Sequence, residues 1–416
     1  MPTAFRARRI ITLAGERAAV SPGELDASLR SVDNAVLLEK DGVILGVEEY
    51  AVFRRRLSGA FSLHDLGPVC LAPALINAHC HLELSHLAGK TRLGEGFVPW
   101  LASLMPLART VPGEEEAVSA ALRCLKDSGV GHCADVESRL PGLICELALR
   151  EWQGNAVYPF THFLELIGFS PPPAAEGEDV EEALRAGDWF SPAAASLPVP
   201  ASEHCALSGH ALYSTAPEAL QAAHAWCRRR GRVFSLHLAE SPEEDECLRS
   251  GSGALRDLLR GFQPSPFPEW KGGPVDRAEH LGLLDAFTLA VHCVRLTPRD
   301  RRTLAERKSA VCLCPRSNAA IGVGRAKARE AAASGILLCL GTDGLCSTPD
   351  LDMQNEMAAA RDMYSLSARA VLRLASINGA AALRLESLGS LEKGKAAVFS
   401  MLREEFAREL FYSDSG

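Results

Sequence analysis

Between residues 74 and 340 the sequence repeats one pattern, a short apolar run followed by a longer stretch with helical character. Eight such runs stand out, at 74–78, 130–134, 156–163, 206–212, 233–238, 289–291, 310–313 and 336–340. Helical stretches separate several of them, for example 114–128, 217–230 and 299–308. Short buried strands alternating with helices predict a parallel sheet with helical crossovers, and about eight units suit a (β/α)8 barrel. Such a barrel gathers its functional side chains at the C-terminal ends of the strands. Outside this region the chain reads differently. Residues 9–13, 35–39 and 43–47 are strand-like, the last two joined by a hairpin-like turn at Lys40-Asp41-Gly42. The segment 389–401 has the same flavour. The predicted division is therefore a small β domain from 1–72 plus 384–416, bracketing a barrel over 73–383.

The ends of the apolar runs carry the chemistry. The first run leads into His79-Cys80-His81. Residues two apart on a strand end project to the same side, so both imidazoles can reach one cation while Cys80 points away. Later come His237-Leu238-Ala239-Glu240, then His292-Cys293, then Gly341-Thr342-Asp343, each at or just past the end of a run. Three histidines and a carboxylate suit a divalent ion such as zinc or ferrous iron. The expected ligand set is His79, His81, His237 and Asp343, with a position left for water whose pKa the ion would lower. Asp343 beside that water is also a proton acceptor, although Gly341-Thr342-Asp343-Gly344 read alone is only a turn after a strand. Glu240 is the candidate proton shuttle. The acids that follow it, Glu243, Glu244, Asp245 and Glu246, read as an exposed helix start and receive no role. His292 is either a further ligand or a hydrogen-bond partner of the water or leaving group, the second being favoured. No lysine ends a middle strand, where a carbamylated lysine would bridge two metals. The fourth run offers His210 instead, which argues for one metal ion.

Composition sets the outer bounds. With 44 Lys+Arg against 52 Asp+Glu the net charge is −8, which leaves no footprint for nucleic acid. The basic cluster Arg6, Arg8 and Arg9 precedes too short an apolar stretch for a signal peptide, and no run approaches a membrane span. Thirteen cysteines, an odd number with no C-x-x-C pair, fit a reducing compartment and hence the cytoplasm. The segments 170–203 and 261–275, rich in proline, read as inserted surface loops.

Taken together, the residues 73–81, His237-x-x-Glu240, the run into His292, Cys314-Pro-Arg-Ser-Asn318, Gly341-Thr-Asp343 and the Gly389–Gly394 turn resemble the amidohydrolase superfamily, in particular its mononuclear deaminase and chlorohydrolase branch. The resemblance covers nearly the whole chain. It implies a distorted TIM barrel with a small composite β-sandwich domain from both termini, one zinc or iron ion, and hydrolytic loss of ammonia from an aminated heterocycle. It also implies metal ligation at His79, His81, His237 and Asp343, proton transfer by Glu240, and orientation of water and substrate by His292. Finer motifs, including Glu83 after His81 and Asp350-Leu-Asp352-Met353, resemble a group containing aminodeoxyfutalosine deaminases, which act on an adenine nucleoside in a menaquinone route. Cys80, Arg295, Ala396-Ala397 and the long 170–203 segment depart from the family pattern; Arg295 and the insert bear on substrate choice. The superfamily often forms dimers, so a homodimer is expected.

Substrate contacts are expected from Glu83, Trp100, Glu165, His210 and Arg316, placed on strand ends or the loops after them. Each has a plainer alternative: packing for Trp100, partnership with a metal-bound histidine for Glu83 and Glu165, an ion pair for Arg316. Other expected reactions on this scaffold are deamination of adenosine, methylthioadenosine, S-adenosylhomocysteine, guanine or cytosine, and chloride loss from a triazine. A barrel serving only as a binding module is a further alternative, disfavoured by a proton-transfer carboxyl beside a complete ligand set.

Overall fold

A computed structural model describes residues 1–56, 60–110, 115–138, 141–153, 157–169, 204–265, 267 and 270–412. Five strands open the chain: β1 (Thr3–Ile11), β2 (Ser31–Lys40), β3 (Val43–Glu49), β4 (Ser62–Asp65) and β5 (Cys70–Pro73). Eight more follow: β6 (Leu75–Cys80), β7 (Val130–Glu137), β8 (Phe160–Leu166), β9 (Cys205–Ala211), β10 (Phe234–Leu238), β11 (Thr288–His292), β12 (Ala310–Leu313) and β13 (Leu338–Leu340). They form one sheet in sequential order, each pair parallel, as the repeating pattern predicts. The third run was expected from residue 156; its ladder starts at Phe160 because Pro159 has no N–H to give, while its carbonyl accepts from Cys133 N at 2.9 Å.

Helices between the strands start where sequence chemistry allows. Ser241 caps the helix Pro242–Ser250, and Thr297 with Asp300 forms a capping box on Pro298–Arg307. Both have proline at the first turn, where its missing N–H costs nothing.

Closure of the barrel differs from the other seams. β13 and β6 are joined not by a regular ladder but by one parallel bridge between Cys80 and Asp343. The Asp343 N–H donates to the His79 carbonyl (3.1 Å), and Asn77 locks the neighbouring turn by accepting from Thr342 N (3.0 Å) and donating to Thr342 Oγ1 (2.7 Å). Gly341 permits this approach. A Cβ there would stand 2.8 Å from His79 N and from the Cys312 sulfur. The seam thus brings two distant motifs, residues 79–81 and 341–343, into contact.

The terminal segments pair as expected. β14 (Phe399–Leu402) lies antiparallel to β5, giving a mixed six-stranded sheet in the order β14-β5-β1-β2-β3, with β4 also on β1. The β2–β3 hairpin turns through Asp41 and Gly42, both at positive φ, as a two-residue turn requires. The sheet curls. Ile44 N donates to Lys395 O and Ala397 N to Gly42 O, joining β3 to the segment that leads into β14. Ala7, Ile10, Leu37, Ile44, Leu71 and Leu391 fill its interior. Only Ala74 separates β5 from β6, and Ser400 Oγ accepts from Leu75 N (3.0 Å) while donating to Gly129 O (2.5 Å). The helix Pro22–Asp26 and the C-terminal helix Glu404–Tyr412 contribute Leu25, Phe406 and Leu410 to the barrel's core.

All thirteen cysteines are free thiols. Among the described residues no helix is long and apolar enough to cross a membrane. The segment 170–203 lies outside the described residues. The expectation of a surface loop at 261–275 needs correction. Gln263 and Phe267 are buried, and Gln263 donates to the Tyr213 carbonyl after β9 and accepts from Arg256.

Candidate active site

His79 and His81 stand at the end of β6, His237 in β10, His292 at the end of β11, and Asp343 just beyond β13. All five are buried and close on one another. One ring nitrogen from each of His79, His81 and His237 lies within 4.8 Å of the other two. The His79 ring is perpendicular to that of His81 (centroids 4.8 Å apart) and to that of His237 (4.9 Å). Asp343 Oδ1 is 3.7 Å from Nε2 of both His79 and His81.

The arrangement fits a cation. His237 Nδ1 is 2.8 Å from the His210 carbonyl. A carbonyl can only accept, so Nδ1 carries the proton and Nε2 presents a lone pair to the cluster, 3.3 Å from His81 Nε2. His79 is fully buried with neither ring nitrogen hydrogen-bonded. Burial holds all three rings below the ordinary histidine range, His81 down to about 4, so the neutral form that ligates metals prevails. Buried, unpaired lone pairs converging on one point are costly unless a cation takes them. Nitrogen donors plus one carboxylate suit zinc or iron. Glu165, His210 and His237 form a second close group, but it shares His237, whose Nδ1 is already committed to a carbonyl.

Asp343 is held on its far side. Oδ2 accepts from Ser317 Oγ (2.5 Å) and Ser347 Oγ (2.8 Å), which leaves Oδ1 toward the histidines. Burial alone would raise its carboxyl; the neighbouring imidazoles of His79, His81 and His292 outweigh that and hold it well below the usual carboxylate range. Glu240 behaves oppositely. Burial, then the charges of Asp343 and Glu244, push its carboxyl well above the usual range. Its Oε1 lies 3.6 Å from His292 Nε2, and His292 Nδ1 pairs with Asn318 Oδ1 at 3.0 Å. Ala239, His292, Cys293 and Asp343 all have positive φ, a conformation costing about 1–3 kcal/mol for such residues and concentrated here on the strand ends.

The five expected substrate contacts divide. Glu165 projects from β8 with Oε1 3.9 Å from His237 Nδ1 and free of hydrogen bonds. His210 lies 5.1 Å, ring to ring, from His237, with Nδ1 bonded to Ser214 Oγ (2.5 Å). Glu83 is buried after His81 and accepts from the backbone and hydroxyl of Ser138 (3.1 and 2.8 Å). Trp100 donates to the Cys346 carbonyl (3.0 Å), and Arg316 makes a two-pronged pair with Asp350 (2.6 and 2.8 Å), so these two match their plainer alternatives. Sequence reasoning assigned nothing to Ser317, Ser347 or Asn318, and it read Glu244 as exposed. Glu244 is in fact buried, 1% exposed. A signal was present: Glu244, Cys247 and Leu248 are spaced i, i+3, i+4, one face of the helix Pro242–Ser250.

The chain belongs to the amidohydrolase family, whose model matches residues 70–414. The family is metal-dependent, as the histidine cluster fits. A 5-methylthioadenosine/S-adenosylhomocysteine deaminase of Nitratidesulfovibrio vulgaris is 29% identical over 350 residues, 79% of this chain and 70% of that protein. Two solved structures share the fold. Helicobacter pylori aminofutalosine deaminase in complex with methylthio-coformycin has a TM-score of 0.78 at 20% identity, covering 99% of this chain and 96% of that one. An adenosine deaminase from Xanthomonas campestris with bound zinc has a TM-score of 0.72 at 20% identity, covering 98% and 88%.

Proposed function

We propose that this chain deaminates an adenine nucleoside: water adds to the ring carbon bearing the exocyclic amino group, the C–N bond breaks, and ammonia leaves. The observation that carries the reading is the buried Glu240 carboxyl facing His292 on the rim of a three-histidine, one-carboxylate cluster. His79, His81, His237 and Asp343 would hold one divalent ion, zinc or iron. When bound, it would supply Lewis acidity that brings a water's pKa toward neutrality. Glu240, whose carboxyl is pushed well above the usual range by burial and neighbouring acids, delivers a proton to the ring nitrogen as the C–O bond forms. Asp343, ionised, accepts the proton the attacking water sheds. His292, tethered through Nδ1 to Asn318, turns Nε2 inward to orient that water. Glu165 and His210 face the substrate. At the end of the cycle one proton of the water is on the ring nitrogen and the other on the departing ammonia, with Glu240 and Asp343 restored.

The proposed substrate is 6-amino-6-deoxyfutalosine, a menaquinone-route nucleoside, on the strength of the motifs around Glu83, Arg316 and Asp350–Met353. A second reading, methylthioadenosine or S-adenosylhomocysteine, is favoured by the 29%-identical relative named for both. Ammonia release from zinc- or iron-loaded protein, with these three nucleosides and adenosine side by side, decides between them. Glu240→Gln should keep its metal and lose about 10²–10⁴-fold in turnover. Full metal loading with no turnover of any of the four would overturn the reading.

A further inference from the structure

The loop that carries Glu240 is pinned from two sides. Its carbonyls face β11: Leu238 O accepts from Cys293 N (3.1 Å) and Ala239 O from Arg295 N (2.9 Å). Its N–H groups face the other way, into a single carboxylate. Glu244 Oε1 accepts from Ala239 N (3.1 Å) and Oε2 from Glu240 N (2.7 Å). This is not the ordinary capping box. Glu244 is the third residue of the helix Pro242–Ser250, and its own N–H bonds to the cap, Ser241 Oγ (3.1 Å). A capping-box carboxylate reaches back to the cap residue's N–H. Here both oxygens also pass it and take the two preceding amides, one of them that of Ala239 at φ +52°.

We infer that Glu244 is a positioning residue, whose carboxylate fixes the Glu240 backbone so that the Glu240 side chain meets His292 and the substrate ring. The inference deepens the deaminase reading and rests on the proton-transfer role of Glu240 within it. The geometry leaves Glu244 little else to do. It is 1% exposed, and both oxygens are spent on the loop. A helix needing only an N-terminal cap has one in Ser241. Burial pushes the Glu244 carboxyl up to about 7, against the lowering pull of the amides of Glu240, Ala239 and Ser241, so a carboxylate here is costly and an amide would be the cheaper residue. Glutamine, however, offers one acceptor oxygen, and its NH2 group would meet the other loop N–H donor to donor.

The test is a double-mutant cycle on the metal-loaded full chain. Glu244→Gln should lower kcat by about tenfold or more and leave KM and metal content within twofold. The solvent deuterium isotope effect on kcat should increase, because proton transfer becomes slower. In a Glu240→Gln background the same substitution should cost less than twofold. Glu244→Asp keeps the charge, retreats by one methylene, and should show the same split if the glutamine variant folds poorly. Equal losses in both backgrounds, a raised KM with lost metal, or unchanged kcat would overturn the inference. A readout independent of turnover is hydrogen exchange of the peptide spanning 238–241. Glu244→Gln should speed it about tenfold or more while the helix 242–250 keeps its protection. Wild-type protein that turns over no nucleoside, with exchange accelerated as expected, would sink the deaminase reading and leave the loop-fixing role; unchanged exchange would sink the latter.

Discussion

Asp343 and Glu240 are both buried carboxyls at one site, yet their neighbours send them in opposite directions. Asp343 sits among imidazoles and two serine hydroxyls and is held well below the usual carboxylate range, whereas burial and nearby acids push Glu240 well above it. The proposed deamination needs one base and one acid, and these two environments would supply both from the same functional group. The serines are the testable part. Ser317→Ala removes a hydrogen bond to a charged, buried oxygen, and outer partners of metal ligands are worth about 10–100-fold in affinity or activity. We expect metal affinity, measured by competition with a chromogenic chelator, to fall by a factor within that range, and to fall less in Ser347→Ala, whose bond to Oδ2 is the longer (2.8 against 2.5 Å). Neither serine could be assigned from sequence. Ser317 stands 26 residues from Asp343, and although it lies in the Cys314–Asn318 motif, nothing there names Asp343 as its partner.

At the scale of elements, the seam between β6 and β13 makes the site. Seven neighbouring pairs in the barrel are parallel ladders, two of them with a register shift. The eighth is a single bridge with side-chain clamps, and it draws Asp343 under His79 and His81. Gly341 is the residue that allows it. Gly341→Ala would push a methyl carbon against the His79 backbone and the Cys312 sulfur. Overpacking of this kind costs about 1–3 kcal/mol. We expect a lower melting temperature and, more tellingly, a metal affinity reduced at least about tenfold, because the strain falls on a ligand's own backbone. A variant destabilised but with native metal affinity would mean that the seam tolerates the shift without moving His79. The inserted segment at 261–275 belongs to this scale as well. Its polar and proline-rich sequence hides a buried glutamine that braces the loop after β9, a contact set by where the chain returns, not by local composition.

For the whole molecule, the proposed ligands come from β6, β10 and the turn after β13, so an ion bound there would tie together parts of the chain more than 260 residues apart. Binding to the native state alone adds stability by mass action, about 2.7 kcal/mol at a hundredfold excess over Kd. Chelation should therefore lower the melting temperature, and re-addition of zinc should restore it in proportion to the logarithm of its concentration. A second dependence involves no ligand. Burial, with the neighbouring His204 as a lesser cause, lowers His132 to about 3, and its Nε2 bonds Thr161 Oγ1 at 2.9 Å. In the unfolded chain it titrates near 6.5. The unfolded state thus binds more protons between these values, so the contribution of His132 is fully present above about 6.5 and is lost as pH falls toward 3. Urea unfolding of wild type and His132→Gln should show their stability difference shrinking from pH 7 to pH 5, by at most about 1.4 kcal/mol per pH unit. A difference independent of pH would mean that the ring titrates in the fold as it does in the unfolded chain.

The sequence by itself determined the alternating architecture, the pairing of the two termini, and the identity of the residues that end the strands. These follow from periodicity and from the one-sided exposure of a strand's end, which are local properties. His79, His81, His237, Glu240, His292 and Asp343 could be picked out because they fall in order at or just past the ends of apolar runs. The tertiary structure decided what surrounds them. Ser317 on Asp343 and Asn318 on His292 act across 26 residues of chain from a helix, while Ser347 on Asp343 and Glu244 under Glu240 act from four residues away through the folding of a turn and a helix start. Packing likewise committed Arg316 to Asp350 and Trp100 to a backbone carbonyl. Which polar groups are left facing the cavity depends on how every other one is satisfied, and that accounting closes only in three dimensions.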